Sequence, residues 1–256
     1  MKTQTPEKRF ESALLELART QSLGTVFEDF LDFSLLFIRW WDRKVEDYAD
    51  LERKYPEVES YELFAEAYLA MADIADYNGT GFKDPFGDFF MEHLSSDRAG
   101  QFFTPVEVCD MMAQMIMGDS VPDEATVLDP ACGCGRTLLA GAKINRKAQF
   151  YGADIDLTCC KMTVLNFLLN TLTGEVTWMD TLRMEHWKSW KIKKVMADNG
   201  MYLPYYIELG KDQSSFPARV AKTTNTTQPT PVGALKKAVS KKKGNGPNTQ
   251  LLFDFG

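Results

Sequence analysis

The sequence predicts an α/β fold: a parallel sheet with connecting helices, preceded by a helical N-terminal domain. Three observations carry that expectation. Residues 1–80 keep apolar residues at helical spacing. Beyond Asn78-Gly79-Thr80-Gly81 the pattern changes to short apolar runs alternating with helical segments. A glycine-rich turn, Asp129-Pro130-Ala131-Cys132-Gly133-Cys134-Gly135, lies between the first of those runs and the helix after it.

In the N-terminal region, Phe10, Leu14 and Leu17 mark one helix. Val26, Phe27, Phe30, Leu31, Ser34, Leu35 and Ile38 mark a second, which Phe33, Leu36, Phe37, Trp40 and Trp41 make apolar nearly all round, as burial on several sides requires. Pro56 opens a third helical stretch with Tyr61, Phe64, Ala65, Tyr68 and Leu69 on one side. Phe86 to Leu94 is a short helix candidate. Pro105 starts another, with Val108, Met111, Met112 and Met115 at helical spacing. Strands are expected at Thr126–Leu128, Phe150–Ala153 and Val176–Trp178, separated by helices at Arg136–Ile144 and Leu157–Leu172. From Lys211 the chain is rich in Thr, Lys, Pro, Gly, Gln and Asn and reads as a disordered basic tail. The expected units are therefore a helical domain at 1–80, a ligand-binding domain at 81–210 and a tail at 211–256.

Composition sets bounds. Of 256 residues, 45% are hydrophobic and 25% charged, as in ordinary globular proteins. Phe30 to Trp41 is interrupted by Asp32 and Arg39 and is too short for a membrane span, and the polar start MKTQTPEKRF has no secretory core, so a cytoplasmic protein without a membrane partner is expected. Cys109, Cys132, Cys134, Cys159 and Cys160 lack zinc-site spacing; reduced thiols and no metal are expected. The tail holds eight basic and two acidic residues, +6, which leaves −13 of the −7 total on the remainder. So acidic a body repels phosphates over most of its surface. If DNA is a partner, the contact is expected to be local, or supplied by the tail, or supplied by another subunit.

Glycines after the first strand let the backbone turn sharply, and the following helix offers free N–H groups and a positive dipole end. Asp154 ends the second strand, where an acidic residue accepts from ribose hydroxyls in dinucleotide-type folds. Asp180 follows the third strand, placed to accept from an adenine amino group. A carboxylate after each of three strands fits an adenosyl ligand; ordinary strand-end or helix-cap roles are the alternative for Asp154 and Asp180.

Gly100-Gln101-Phe102-Phe103-Thr104-Pro105, followed by a helix, a linker and the Asp-Pro-x-Cys-Gly-x-Gly turn, resembles the modification subunits of type I restriction systems, which are N6-adenine DNA methyltransferases. Gly152-Ala153-Asp154-Ile155-Asp156 and Asp180-Thr181-Leu182 resemble that family's next two elements. The resemblance spans Asp84 to Leu182 and implies a Rossmann-like S-adenosylmethionine-dependent methyltransferase core with an incomplete sheet, in a chain shortened relative to the family. By position, it implies that Phe102, Phe103, Thr104 and Pro105 cover the methionine end of the cofactor. Asp129, Pro130, Ala131, Gly133 and Gly135 would hold its amino-acid part, Asp154 the ribose and Asp180 the adenine. Cys134 stands where the family usually has a small residue such as Ser.

Enzymes of this family carry an Asn/Asp-Pro-Pro-aromatic tetrapeptide that holds the flipped adenine. No Pro-Pro occurs here. The nearest substitute is Leu203-Pro204-Tyr205-Tyr206, with Pro204 and Tyr205 as weak catalytic candidates; the other reading is a buried strand or turn from Met201 to Leu209, pairing beside the first strand. Two function classes stay open: an adenine methyltransferase, degenerate or completed by a second subunit, and a catalytically inactive cofactor-binding or interaction protein. At the C-terminus, Gln250, Leu251, Phe253 and Phe255 resemble a sliding-clamp-binding peptide, against a segment that packs on the body or has no partner.

Overall fold

The computed structural model describes residues 4–39, 45–95, 102–217, 219 and 250–252. Four helices come first: α1 (Pro6–Leu17), α2 (Leu23–Ile38), α3 (Ala49–Lys54) and α4 (Val58–Asp76). Their starts follow from local chemistry. Thr5 and Ser22 sit in extended backbone, and their hydroxyls accept from the N–H of Lys8 and Thr25, satisfying donors that the first helical turn leaves open. Arg9 on α1 pairs with Glu66 and Asp73 on α4. Beneath these pairs, Phe10 meets Phe30 and Phe89 edge-on, and Phe27 stacks on Phe89.

Two short helices, α5 (Gly87–His93) and α6 (Val106–Met117), lead into the sheet. Its elements are β1 (Thr126–Asp129), α7 (Arg136–Ile144), β2 (Gln149–Asp154), α8 (Leu157–Leu169), β3 (Thr173–Asp180), β4 (Glu185–Met196), β5 (Tyr202–Leu209) and β6 (Gln250–Leu252). The spatial order is β5-β4-β3-β2-β1-β6. β3, β2, β1 and β6 are parallel; β4 and β5 extend the sheet antiparallel from β3. The sheet is thus mixed. Its hairpin turns at Asn199-Gly200, where Gly200 takes φ +81°.

One apolar core runs from Phe10, Phe27 and Phe30 through Phe86 and Phe90 to Phe150, Leu165 and Phe167. The N-terminal helices therefore bury themselves on α8 and share the core of the sheet. Lys161 on α8 pairs with Asp32 on α2, and the Tyr206 hydroxyl on β5 donates to the Leu35 carbonyl at 3.3 Å. The opposite face buries Leu128, Tyr151, Ala153 and Met179 under Phe216. No helix among the described residues is long and apolar enough to cross a membrane.

Three expectations are revised. On α6 the buried residues are Cys109, Ala113 and Met117, whereas Met111 and Met115 are exposed, because only one side of this helix meets α7. The strand expected from Met201 to Leu209 exists as β5, but it pairs with β4 at the far edge and not with β1, and as an edge strand it buries only Tyr206. The edge of β1 takes β6 instead, from a segment expected to be disordered tail. A further piece of that tail is also placed: the carboxylate of buried Glu175 accepts from the Ser214 and Ser215 hydroxyls and the backbone N–H groups of Ser215 and Phe216, which seats Phe216.

Candidate cofactor site

The ends of β1 and β2 meet at the glycine turn. Asp129 is fully buried; its Oδ1 accepts from the Ala131 N–H at 3.0 Å and its Oδ2 from the Thr137 hydroxyl. Gly133 (φ +52°) and Gly135 (φ +87°) hold the left-handed conformations that close the turn, which favour glycine. A Cβ at Gly133 would stand 3.0 Å from the Phe103 ring, so the aromatic cover requires that glycine. Phe103 is fixed in turn by Phe90, ring centroids 5.1 Å apart. Helix α7 begins at Gly135 with no side-chain cap, so its first N–H groups face outward with the positive end of the helix dipole.

These parts enclose a cavity of about 290 Å³ lined by Phe102, Phe103, Thr104, Asp129, Ala131 and Gly133, with Arg136 and Thr137 at its helical end. The two motifs, separate in the chain, thus form one chamber. Burial pushes the Asp129 carboxyl up to about 6, against the hydrogen bonds from Thr137 and Ala131, which lower it. Burial also drives the Cys132, Cys134 and Cys160 thiols well up, so none of them is a thiolate nucleophile at neutral pH.

Asp154 adjoins this chamber. Its carboxylate accepts from the N–H of Gly133 at 2.9 Å and of Asp156 at 2.9 Å, and burial raises its pKa. The Ile155 N–H also donates to it, and a carboxylate has about four acceptor positions. Asp180 ends β3, and its Oδ1 accepts from the N–H groups of Leu182 and Arg183, both at 2.9 Å. It caps its own turn toward β4. That turn abuts the glycine loop, since the Thr181 hydroxyl donates to the Pro130 carbonyl at 3.2 Å. Ile155, 61% exposed beside Asp154, offers an apolar surface there. Pro105 is the residue preceding α6.

One supporting residue was missed in the sequence. Asp84 is buried and accepts from Arg136 Nε at 2.8 Å, the Cys134 thiol at 3.1 Å, Asn166 Nδ2 at 3.0 Å and the N–H groups of Phe86 and Gly87. It ties the segment before α5 to the glycine turn and to α8. Asp-Pro followed by Phe-Gly was its available signal, because an aspartate there accepts from the next two free N–H groups. Cys134 serves in this network as a small buried donor, the role a serine hydroxyl would fill.

The weak catalytic candidates do not join the site. Pro204 and Tyr205 lie in β5, paired with Lys194 and Lys193, four strands away from β1. The hydrogen-bonded hairpin claims this segment as an edge strand, so it supplies no loop beside the chamber. At the C-terminus, Gln250 and Leu251 pair alongside Thr126 and Val127; the peptide read as clamp-binding is used within the sheet, while Phe253 and Phe255 lie outside the described residues. Gly100 and Gln101 also lie outside them.

The family model of N-6 DNA Methylase matches residues 83–228, more than half of the chain. No curated protein matches. Among solved structures, the chain is similar to a putative class I S-adenosylmethionine-dependent methyltransferase from Listeria monocytogenes (16% identity, TM-score 0.36), with 67% of this chain and 51% of that one covered. It is also similar to a type I restriction-modification system methyltransferase subunit from Streptococcus thermophilus (20% identity, TM-score 0.37), with 68% and 39% covered. The chain thus spans about half of the first structure's length and less of the second's.

Proposed function

The chain belongs to the N-6 DNA methylase family, and on that premise we propose that it is the cofactor-holding part of an adenine-N6 DNA methyltransferase that uses S-adenosylmethionine. One observation carries this reading: the aromatic segment Phe102–Thr104 and the turn residues Asp129 and Ala131–Cys134 line a single cavity, with a buried carboxylate at one wall and an uncapped helix start at the other. That donor and acceptor set suits a zwitterionic amino-acid group. Asp129 would accept from the ammonium, and the first N–H groups of α7 would donate to the carboxylate. Phe103 would exclude water over Gly133. Asp154 would accept from ribose hydroxyls with its remaining lone pairs, Ile155 would pack on the adenine face, and Asp180 would accept from the adenine amine after loosening its turn. When bound, the cofactor supplies an electrophilic methyl group on sulfur.

Equilibrium dialysis with tritiated S-adenosylmethionine tests this. Binding by the purified chain that Asp129→Ala removes is expected, and no binding at millimolar cofactor refutes the reading. A second reading, a cofactor-binding protein without catalysis, is favoured by the location of Pro204 and Tyr205 in β5. Transfer of tritium to adenine-containing DNA by the chain alone rules that second reading out. Transfer only after a companion chain is added means that the catalytic loop comes from the companion.

A further inference from the structure

The end of the sheet opposite the glycine turn carries a groove of about 960 Å³. Gln149 and Thr173, the first residues of β2 and β3, line it, whereas Asp154 and Asp180 are the last residues of those strands. Six to eight residues of strand place the groove roughly 20 Å from the chamber. Five cations line it: Arg146 and Lys147 from the loop before β2, and Lys191, Lys193 and Lys194 from β4, of which Lys194 lies on the helix-packed face of the sheet and Lys191 and Lys193 on the other. Among the described residues no aspartate or glutamate lines it.

Two of the five cations have anionic neighbours: Lys147 pairs with Asp123 at 3.1 Å, and Lys191 approaches buried Glu175 at 3.8 Å. Arg146, Lys193 and Lys194 have no carboxylate partner among the described residues. Arg146 instead donates to the Asn170 carbonyl and lies over the Phe82 ring, and Lys194 lies over the Tyr202 ring at 5.1 Å. The Lys194 ammonium is held below the usual lysine range by burial and by the charge of Arg146. Arg146 and Lys194 act on each other directly, and on a body of net charge −13 the five cations form a positive strip that runs over the end of the sheet. Tyr202, on the face of Lys194, and Tyr205, on the face of Lys193, line the same groove at the end of the sheet. Cations that hold phosphates beside rings that stack on bases are what a single strand of nucleic acid needs. Duplex, being wider, would reach only the rim of a groove of this size.

We propose that this groove binds a single nucleic-acid strand that passes over the end of the sheet, its phosphates on Arg146 and Lys194 at one face and Lys193 at the other, and its bases against Tyr202 and Tyr205. The inference stands whether or not the chamber binds S-adenosylmethionine.

The test is fluorescence anisotropy of the full chain with a labelled single strand of about 12 nucleotides. The triple variant Arg146→Gln, Lys193→Gln, Lys194→Gln is expected to bind at least roughly tenfold more weakly at low salt, with a log–log salt slope shallower by about two. Tyr202→Ala is expected to cost roughly tenfold. The tail triple Lys241→Gln, Lys242→Gln, Lys243→Gln, of equal charge change, is expected to cost less than the groove triple. Circular dichroism and urea midpoints check that the variants fold, and Lys193→Gln alone, at an exposed site, keeps the test open if the triple does not. Wild-type binding by the groove variants, loss confined to the tail triple, or equal binding of duplex would overturn the proposal. So would displacement by polyglutamate as effective as by unlabelled strand, which would make the groove a site for acidic proteins.

Discussion

Asp129→Asn should make the free protein more stable while weakening its hold on the cofactor. The carboxyl of Asp129 is fully buried and titrates at about 6, against an ordinary aspartate value of 3.8. Above pH 6 the group is ionised in both folded and unfolded states, and the folded state bears the whole penalty of burying the charge. Below 3.8 it is protonated in both, and the penalty vanishes. Stability therefore falls as pH rises from about 4 to 6, and the shift of about two pKa units corresponds to roughly 3 kcal/mol. Asparagine keeps the shape and still accepts from the Ala131 N–H, while the Thr137 hydroxyl turns to accept from the new amide. At pH 7–8 the variant should gain up to about 3 kcal/mol, roughly 6–12 °C in melting temperature for a protein of this size. Differential scanning fluorimetry from pH 4 to 8 measures it. The two melting curves should converge near pH 4 and separate above pH 6, while calorimetry at pH 7.5 shows weaker cofactor binding. A variant less stable at pH 8, or a difference that ignores pH, would refute the electrostatic account.

Other perturbations follow from the same packing. Gly87→Ala would set a Cβ 2.3 Å from Asp84 Oδ2 and 2.5 Å from Arg136 Nη2. Separating that buried pair costs about 3–5 kcal/mol against at most about 1 kcal/mol of helix propensity gained, so urea unfolding should show a net loss of roughly 2–4 kcal/mol. Cys134→Ser retains a donor to Asp84 and should change stability by less than about 1 kcal/mol, whereas Cys134→Val strands a carboxylate position and should cost about 1–3 kcal/mol by the same assay. Glu175→Gln puts an amide among donors that now share a carboxylate. It should cost about 2–3 kcal/mol in urea unfolding and speed hydrogen exchange at Ser215 and Phe216.

The parts of the fold legible in the sequence are those governed by local periodicity. The helix read at Arg136–Ile144 occupies those residues, and the strands read at Thr126–Leu128 and Phe150–Ala153 lie within β1 and β2. Each is flanked by glycine, proline or aspartate, which mark ends by their own backbone preferences. The hairpin of β4 and β5 was not read, although Asn199-Gly200 signals a turn. Charged residues interrupt β4 at Glu185, Lys188, Lys191, Lys193 and Lys194 and break its apolar pattern, because the mixed sheet leaves this strand half exposed.

The chamber was foreseen as two motifs at the ends of parallel strands, since a glycine turn after a strand must face the carboxyl edge of the sheet. Its support was not. Asp84 acts through contacts 50 and 82 residues away in the chain, at Cys134 and Asn166, which no spacing rule reaches. The basic groove escaped for the same reason, as net charge averages over surface that the fold keeps separate.

The order of residues alone determined the alternation of strand and helix, the glycine turn and the aromatic segment before it, because each depends on torsions and hydrogen bonds within a few residues. Only the tertiary structure decided that β5 leaves Pro204 and Tyr205 far from β1, that β6 closes the edge of β1, and that Arg146 meets Lys194. Those outcomes depend on which strand edges and which charges come together when the core closes, a balance struck among residues distant in the chain.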